Sequence, residues 1–117
     1  MVKTILVADD DPAIVESVQM LLEDEGYNVE TTVNGSTVTD AKAEQPHLIL
    51  LDIWMSGQDG RAICRRLKAA ELTKGIPVIM ISANRDAAHL ARESGADDFI
   101  AKPFDADHLL ETIAKFT

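Results

Sequence analysis

Along the chain, short runs of consecutive apolar residues alternate with longer stretches in which apolar positions recur every three or four residues. Residues 4–8, 28–32, 48–51, 78–81 and 97–100 are the strand candidates. Three of them, Ile5-Leu6-Val7, Leu48-Ile49-Leu50-Leu51 and Val78-Ile79-Met80-Ile81, are apolar on consecutive positions, which suits strands covered on both faces. The second and fifth are more polar and suit the edges of a sheet. Helical spacing is clearest in Ile14, Val18, Leu21 and Leu22, a stripe closed by Gly26. Ile63, Leu67 and Ala70 precede Gly75, and Leu90, Ala91 and Ser94 precede Gly95. Leu109, Leu110, Ile113 and Ala114 follow a capping residue at Asp105. Residues 36–44 carry the thinnest helical pattern, with Val38 and Ala41 as an inward pair. Asp11 before Pro12 reads as an N-cap followed by proline at the first helical position.

Strands alternating with helices predict an α/β fold: a three-layer, doubly wound sheet of five parallel strands with five helices on its two faces and right-handed crossovers. In such folds ligands sit beyond the carboxyl ends of the strands, near the point where the strand order reverses. The residues at those ends therefore matter most.

Length and composition narrow the picture. A chain of 117 residues with 46% hydrophobic and 26% charged side chains is expected to form one domain, 1–117, with one packed core and no linker or repeat. The net charge of −9, from 11 basic and 20 acidic residues, opposes direct contact with nucleic acid, where phosphate neutralisation supplies most of the affinity. Cys64 is the only cysteine, which excludes an internal disulfide or a thiolate metal cluster and fits a reducing cytosol. The one N-terminal apolar run leads straight into three aspartates, unlike a signal peptide or a membrane span. A cytoplasmic protein with no membrane partner is the expectation.

Reading off the strand ends gives Asp9 and Asp10 after the first, Asp52 after the third, Ser82 after the fourth and Lys102 just past the fifth. Carboxylates gathered within a few ångström raise one another's pKa unless a cation offsets them. A set of oxygen ligands at a phosphoryl-transfer site favours Mg²⁺. Singly, each residue has a plainer role: aspartate after a strand often caps the next helix, and a lone serine or lysine usually just faces water. Asp52 resists that reading, because it ends an apolar run and is followed by Ile53-Trp54-Met55, with no local partner for its charge. Together the residues make sense as a nucleophilic carboxylate served by a metal, a cation and a hydroxyl donor. Lys102 precedes Pro103, a bond for which the cis form is accessible and here expected. His47, His89 and His108 lack metal-ligand spacing and are given no role, and Met20, Met55 and Met80 read as apolar filler.

Four motifs in order carry a resemblance over essentially the whole chain. They are Ile5-Leu6-Val7-Ala8-Asp9-Asp10-Asp11-Pro12, then Leu51-Asp52-Ile53-Trp54-Met55 with Asp59-Gly60, then Ile81-Ser82-Ala83, and Lys102-Pro103-Phe104. The chain resembles the receiver domains of two-component response regulators. That resemblance implies a flavodoxin-like sheet of order 2-1-3-4-5 and a signalling domain that is not an enzyme in the ordinary sense. It implies that Asp52 accepts a phosphoryl group from the phosphohistidine of a histidine kinase or phosphotransfer protein and that the domain promotes its own phosphorylation and dephosphorylation. Asp9, Asp10, Asp52 and the Trp54 backbone carbonyl would hold Mg²⁺, Lys102 would pair with the phosphoryl oxygens and Ser82 would hydrogen-bond one of them. Phe99 stands where such domains carry an aromatic that swings inward when the hydroxyl moves. The face of the fourth helix, fifth strand and fifth helix, about residues 84–116, would then be remodelled to serve a homodimer or an output partner. No output segment follows Thr117, so the chain is expected either to act through a partner or to be part of a longer regulator.

Three positions depart from the family pattern. Met55-Ser56-Gly57 stands where Met-Pro is common, which leaves the following loop freer; Phe99 lacks the hydroxyl of the frequent tyrosine; and Trp54 is bulky enough either to pack passively or to shield an acyl phosphate. Two other classes compete. A haloacid-dehalogenase-like small phosphatase shares the aspartate, hydroxyl and lysine, but Trp54 occupies the place of its general acid. A flavodoxin-like FMN carrier would place a phosphate against aspartates.

Overall fold

The computed structural model describes residues 2–34, 38, 45–55 and 57–117. The expected helix at 36–44 lies outside the described residues except for Val38, which is buried. Strands β1 (Thr4–Ala8), β2 (Asn28–Thr32) and β3 (Leu48–Asp52) alternate with helix α1 (Pro12–Asp24). A short hairpin of β4 (Trp54–Met55) and β5 (Gln58–Asp59) leads into α2 (Gly60–Ala69). Then come β6 (Val78–Ser82), a 3-10 turn at Arg85–Ala87, α3 (Ala88–Glu93), β7 (Asp98–Ala101) and α4 (Ala106–Ala114). The main sheet has five parallel strands in the order β2-β1-β3-β6-β7, so the two polar strands lie at its edges and the apolar ones at its centre. Counting only the strands of this sheet, the order is the expected 2-1-3-4-5.

The unbroken apolar runs arise because alternate side chains of one strand serve opposite cores. Ile5, Val7, Leu48, Leu50, Ile79 and Ile81 pack with Val15, Val18 and Leu22 of α1 and with Leu109 and Ile113 of α4. Leu6, Ala8, Ile49, Leu51, Val78 and Met80 face the other way, onto Ile63, Cys64 and Leu67 of α2 and Ala91 of α3. The helix ends are set locally. Asp11 accepts from the Ala13 N–H with Pro12 at the first helical position, and Asp105 accepts from the His108 N–H.

Some expectations need correcting. Ala70 and Ala114 are exposed rather than inward, because Cys64 and Thr112 take the buried positions of their helices. Helix α2 stops at Ala69, well short of Gly75; Ala70 turns extended and the Thr73 hydroxyl donates to the Leu67 carbonyl at 2.7 Å. Met20 is 61% exposed and fills nothing, whereas Met55 and Met80 are fully buried. His47, given no role, accepts from the Thr4 N–H through Nδ1 at 2.9 Å, at the end where β1 and β3 begin.

Asp97 fastens α2 to the sheet. Its Oδ2 accepts from the Val78 N–H at 2.8 Å and from Lys68 Nζ at 2.7 Å, while Lys68 also donates to the Ile76 carbonyl. Removing the carboxylate in Asp97→Ala strands a buried N–H, a loss of roughly 1–3 kcal/mol. Asp97→Asn keeps an acceptor and should lose less than half as much. Urea midpoints of the two variants test this; equal losses would place the effect elsewhere.

Candidate functional site

The parallel sheet brings its strand ends to one rim, and the predicted residues arrive there together. Asp9 and Asp10 follow β1, Asp52 ends β3, Ser82 ends β6 and Lys102 follows β7. Asp9 is fully buried; its Oδ1 accepts from the Asp11 N–H at 3.0 Å and its Oδ2 accepts from Lys102 Nζ at 2.8 Å. The same ammonium lies 3.7 Å from Asp52 Oδ1. One carboxylate oxygen from each of Asp9, Asp10 and Asp52 can be chosen so that all three lie within 4.8 Å of one another. The bond from Lys102 to Pro103 is cis, as expected.

This crowding is visible in Asp52, whose pKa is pushed up to about 6. Burial is the largest cause, and the neighbouring charges of Asp9 and Asp10 add to it; Lys102 and the Trp54 backbone N–H pull the other way without prevailing. Among the described residues, the Lys102 ammonium lies against both Asp9 and Asp52. The convergence of three carboxylates, an all-oxygen donor set, fits a hard divalent cation such as Mg²⁺.

Ser82 is buried at the end of β6; its Oγ accepts from the Asn84 N–H at 3.1 Å and its carbonyl accepts from the Lys102 N–H at 2.8 Å. Hydroxyl and lysine therefore sit on strand ends that are bonded to each other. Phe99 pairs in register with Met80 and is half-buried against the core on the α2 and α3 side, neither a full core residue nor a free one.

The floor of the rim is backbone packed on backbone. The Ile53 N–H donates to the Ile81 carbonyl, and the Gly60 N–H donates back to the Ile53 carbonyl. A Cβ on Gly60 would run into the Asp52 carbonyl oxygen and lie 2.8 Å from that of Ile53. The hairpin between them turns through Gly57, at φ +79°, while Ser56, where the departure from Met-Pro falls, is outside the described residues.

Sequence reasoning missed one cluster here. Trp54 is 58% exposed, and the Arg61 guanidinium carbon sits 5.2 Å from the centre of its ring. Arg61 is held there by Asp59, the cross-strand partner of Trp54, through Nε and Nη2 at 2.8–3.1 Å. That pairing holds the Asp59 carboxyl below its usual range. The Trp54 side chain is thus not packed in a core. The clue was present: Trp54, Asp59 and Arg61 flank a glycine turn.

Comparison with known proteins places this arrangement among relatives. The family described as response regulator receiver domain matches residues 5–114. The DNA-binding dual master transcriptional regulator RpaA of Synechocystis is 39% identical over 93% of this chain and 46% of its own length. The chain thus spans about half the length of the curated relatives it matches. Among solved structures, a response regulator receiver domain protein from Methanospirillum hungatei is similar with TM-score 0.83 and 32% identity over 98% of this chain and 93% of its own. The receiver domain of a sensor histidine kinase from Pseudomonas aeruginosa, solved with magnesium in its active-site cleft, is similar with TM-score 0.88 and 25% identity over 99% and 98%.

Proposed function

Because the chain belongs to the response regulator receiver domain family, whose members are signalling domains, we propose that it is a phosphoacceptor switch working through Asp52. The convergence of Asp9, Asp10, Asp52 and Lys102 on one rim carries this reading. A carboxylate oxygen of Asp52 attacks the phosphorus of a phosphohistidine on a histidine kinase or phosphotransfer protein. The P–N bond breaks, its electron pair returns to the imidazole, and Asp52 becomes an acyl phosphate. Asp9, Asp10, Asp52 and the Trp54 carbonyl would hold Mg²⁺, which when bound supplies positive charge against the phosphoryl oxygens. Lys102, already between two carboxylates, swings its ammonium to the new anion, and Ser82 donates its hydroxyl to a phosphoryl oxygen. Hydrolysis of the anhydride by water resets the switch, and the same groups assist both directions.

Phosphorylation adds roughly two negative charges at the rim. Ser82, released from Asn84, leaves room beside Phe99, and the ring fills it, reshaping the face of α3, β7 and α4 for a second copy or an output partner. Relatives of about twice this length are named as DNA-binding, so output of that kind would come from sequence beyond the receiver rather than from its acidic surface. Among the described residues no helix is long and apolar enough to cross a membrane. A cytoplasmic setting agrees with partners that carry phosphohistidine. The small-phosphatase reading gains no support from any comparison.

Incubation with a small acyl phosphate and Mg²⁺, followed by intact mass, tests the assignment. Wild type should gain one phosphoryl group and Asp52→Asn none. Equal gains would remove Asp52 as the acceptor.

A further inference from the structure

In a chain of net charge −9, cations are concentrated on one short stretch: Arg61, Arg65, Arg66, Lys68 and Lys74 lie between Gly60 and Gly75, with Glu71 the only acid there. Lys68 and Lys74 are engaged by Asp97 and Glu71. Arg65 is exposed and makes no ion pair among the described residues. It lies one helical turn from Arg61, so the two are neighbours on the surface of α2. Arg61 itself is fixed, clamped by Asp59 over the exposed Trp54 ring, with Glu93 of α3 adding a weaker attraction. Exposed tryptophan and arginine are the residue types that dominate binding energy at protein interfaces. An arginine already held in place also gives up less rotamer freedom when a partner arrives.

We propose that Trp54, Arg61 and Arg65 form a docking surface for an acidic peptide segment of a partner protein. Charge and size select the occupant. A nucleic acid carries its phosphates in an unbroken line and would run beyond the patch onto a body that bears most of the chain's 20 acids. A short peptide confines its carboxylates to Arg61 and Arg65, and one apolar side chain covers the indole. A second copy of this chain brings a repelling charge of −9, and its acidic α1 lies on the opposite face of the sheet from α2, so contact between the two would be heterologous rather than a two-fold pair.

Trp54 is the only tryptophan, so its fluorescence reports this surface directly. The full chain, without Mg²⁺, is titrated with a short peptide of alternating glutamate and leucine. A saturable change in emission is expected, weakened about tenfold or more by Arg61→Glu and by Arg65→Glu. Lys115→Glu, which makes the same charge change beyond α4 on the other side of the sheet, should leave binding within about twofold. Arg65→Glu is the decisive variant, because the clamp on Trp54 does not involve Arg65. No saturable change, equal weakening by Lys115→Glu, or binding indifferent to Arg65→Glu overturns the proposal. So does tighter binding of an oligothymidine of matched length, or self-association in sedimentation that Arg65→Glu abolishes.

Discussion

Without metal, Asp52→Asn is expected to be more stable than wild type near pH 7.5, by up to roughly 3 kcal/mol and on the order of 10 °C in melting temperature. The folded carboxyl titrates at about 6, against 3.8 for the ordinary group. A pKa raised by folding means that the fold favours the protonated form. That contribution is fully present below pH 3.8 and is lost as pH rises through 6, where the wild-type rim must hold the Asp52 charge. Asparagine keeps the shape and never acquires the charge. The gap between the two proteins should therefore be absent below about pH 4, open between pH 4 and 6, and stay flat above. Added Mg²⁺ should narrow it by stabilising wild type alone, since a ligand that binds only the folded state raises its stability. Thermal melts across pH, with a chelator or with Mg²⁺, give all these comparisons. A wild type that is the more stable protein at pH 7.5 without metal would contradict the electrostatics described for the rim.

Gly60→Ala is expected to cost about 3 kcal/mol, because the added methyl group falls at the buried start of α2. The clash falls on the carbonyls of Asp52 and Ile53, backbone atoms at the end of β3 and just past it, which cannot rotate away as a side chain would. Relief requires the Trp54–Asp59 hairpin to move off β3 and with it the segment that follows Asp52. Stability and phosphoryl acceptance should therefore fail together. Gly57→Ala is the control: it has open space around it but a left-handed φ of +79°, so it should cost about 1–2 kcal/mol and leave phosphorylation intact. Chemical denaturation and the intact-mass assay on both variants separate steric damage at the rim from ordinary turn strain. Comparable losses in the two would leave Gly60 without a special role.

The parts of this fold that could be read from sequence are those written in local chemistry. Runs such as Leu48-Ile49-Leu50-Leu51 announce a strand covered on both faces, and Asp11-Pro12 announces the start of a helix. The rim followed, because parallel strands deliver their last residues to one edge, and Asp9, Asp52, Ser82 and Lys102 were each next to an apolar run. What escaped depends on geometry between distant segments. His47 looks like any solitary histidine until β1 lies beside β3, and Asp97 looks like the start of a strand until its carboxylate meets Val78. Met20 shares an apolar run with Leu21 and Leu22, yet the helix turns it outward to water. Gly60 could be recognised as a motif glycine, but not the two carbonyls that forbid a side chain there.

The pleat of the central strands divides the apolar interior into two chambers that share a wall and no side chains. Phe99, Met80 and Ala91 belong to one chamber; α1 and α4 close the other. Under the proposed switch, space opened or filled by the phenyl ring would be taken up first on its own side, because the interior is close-packed. Then α3 and β7 would respond through the chamber that holds Phe99, whereas α4, packed on the other, would be reached only through the backbone of the shared wall.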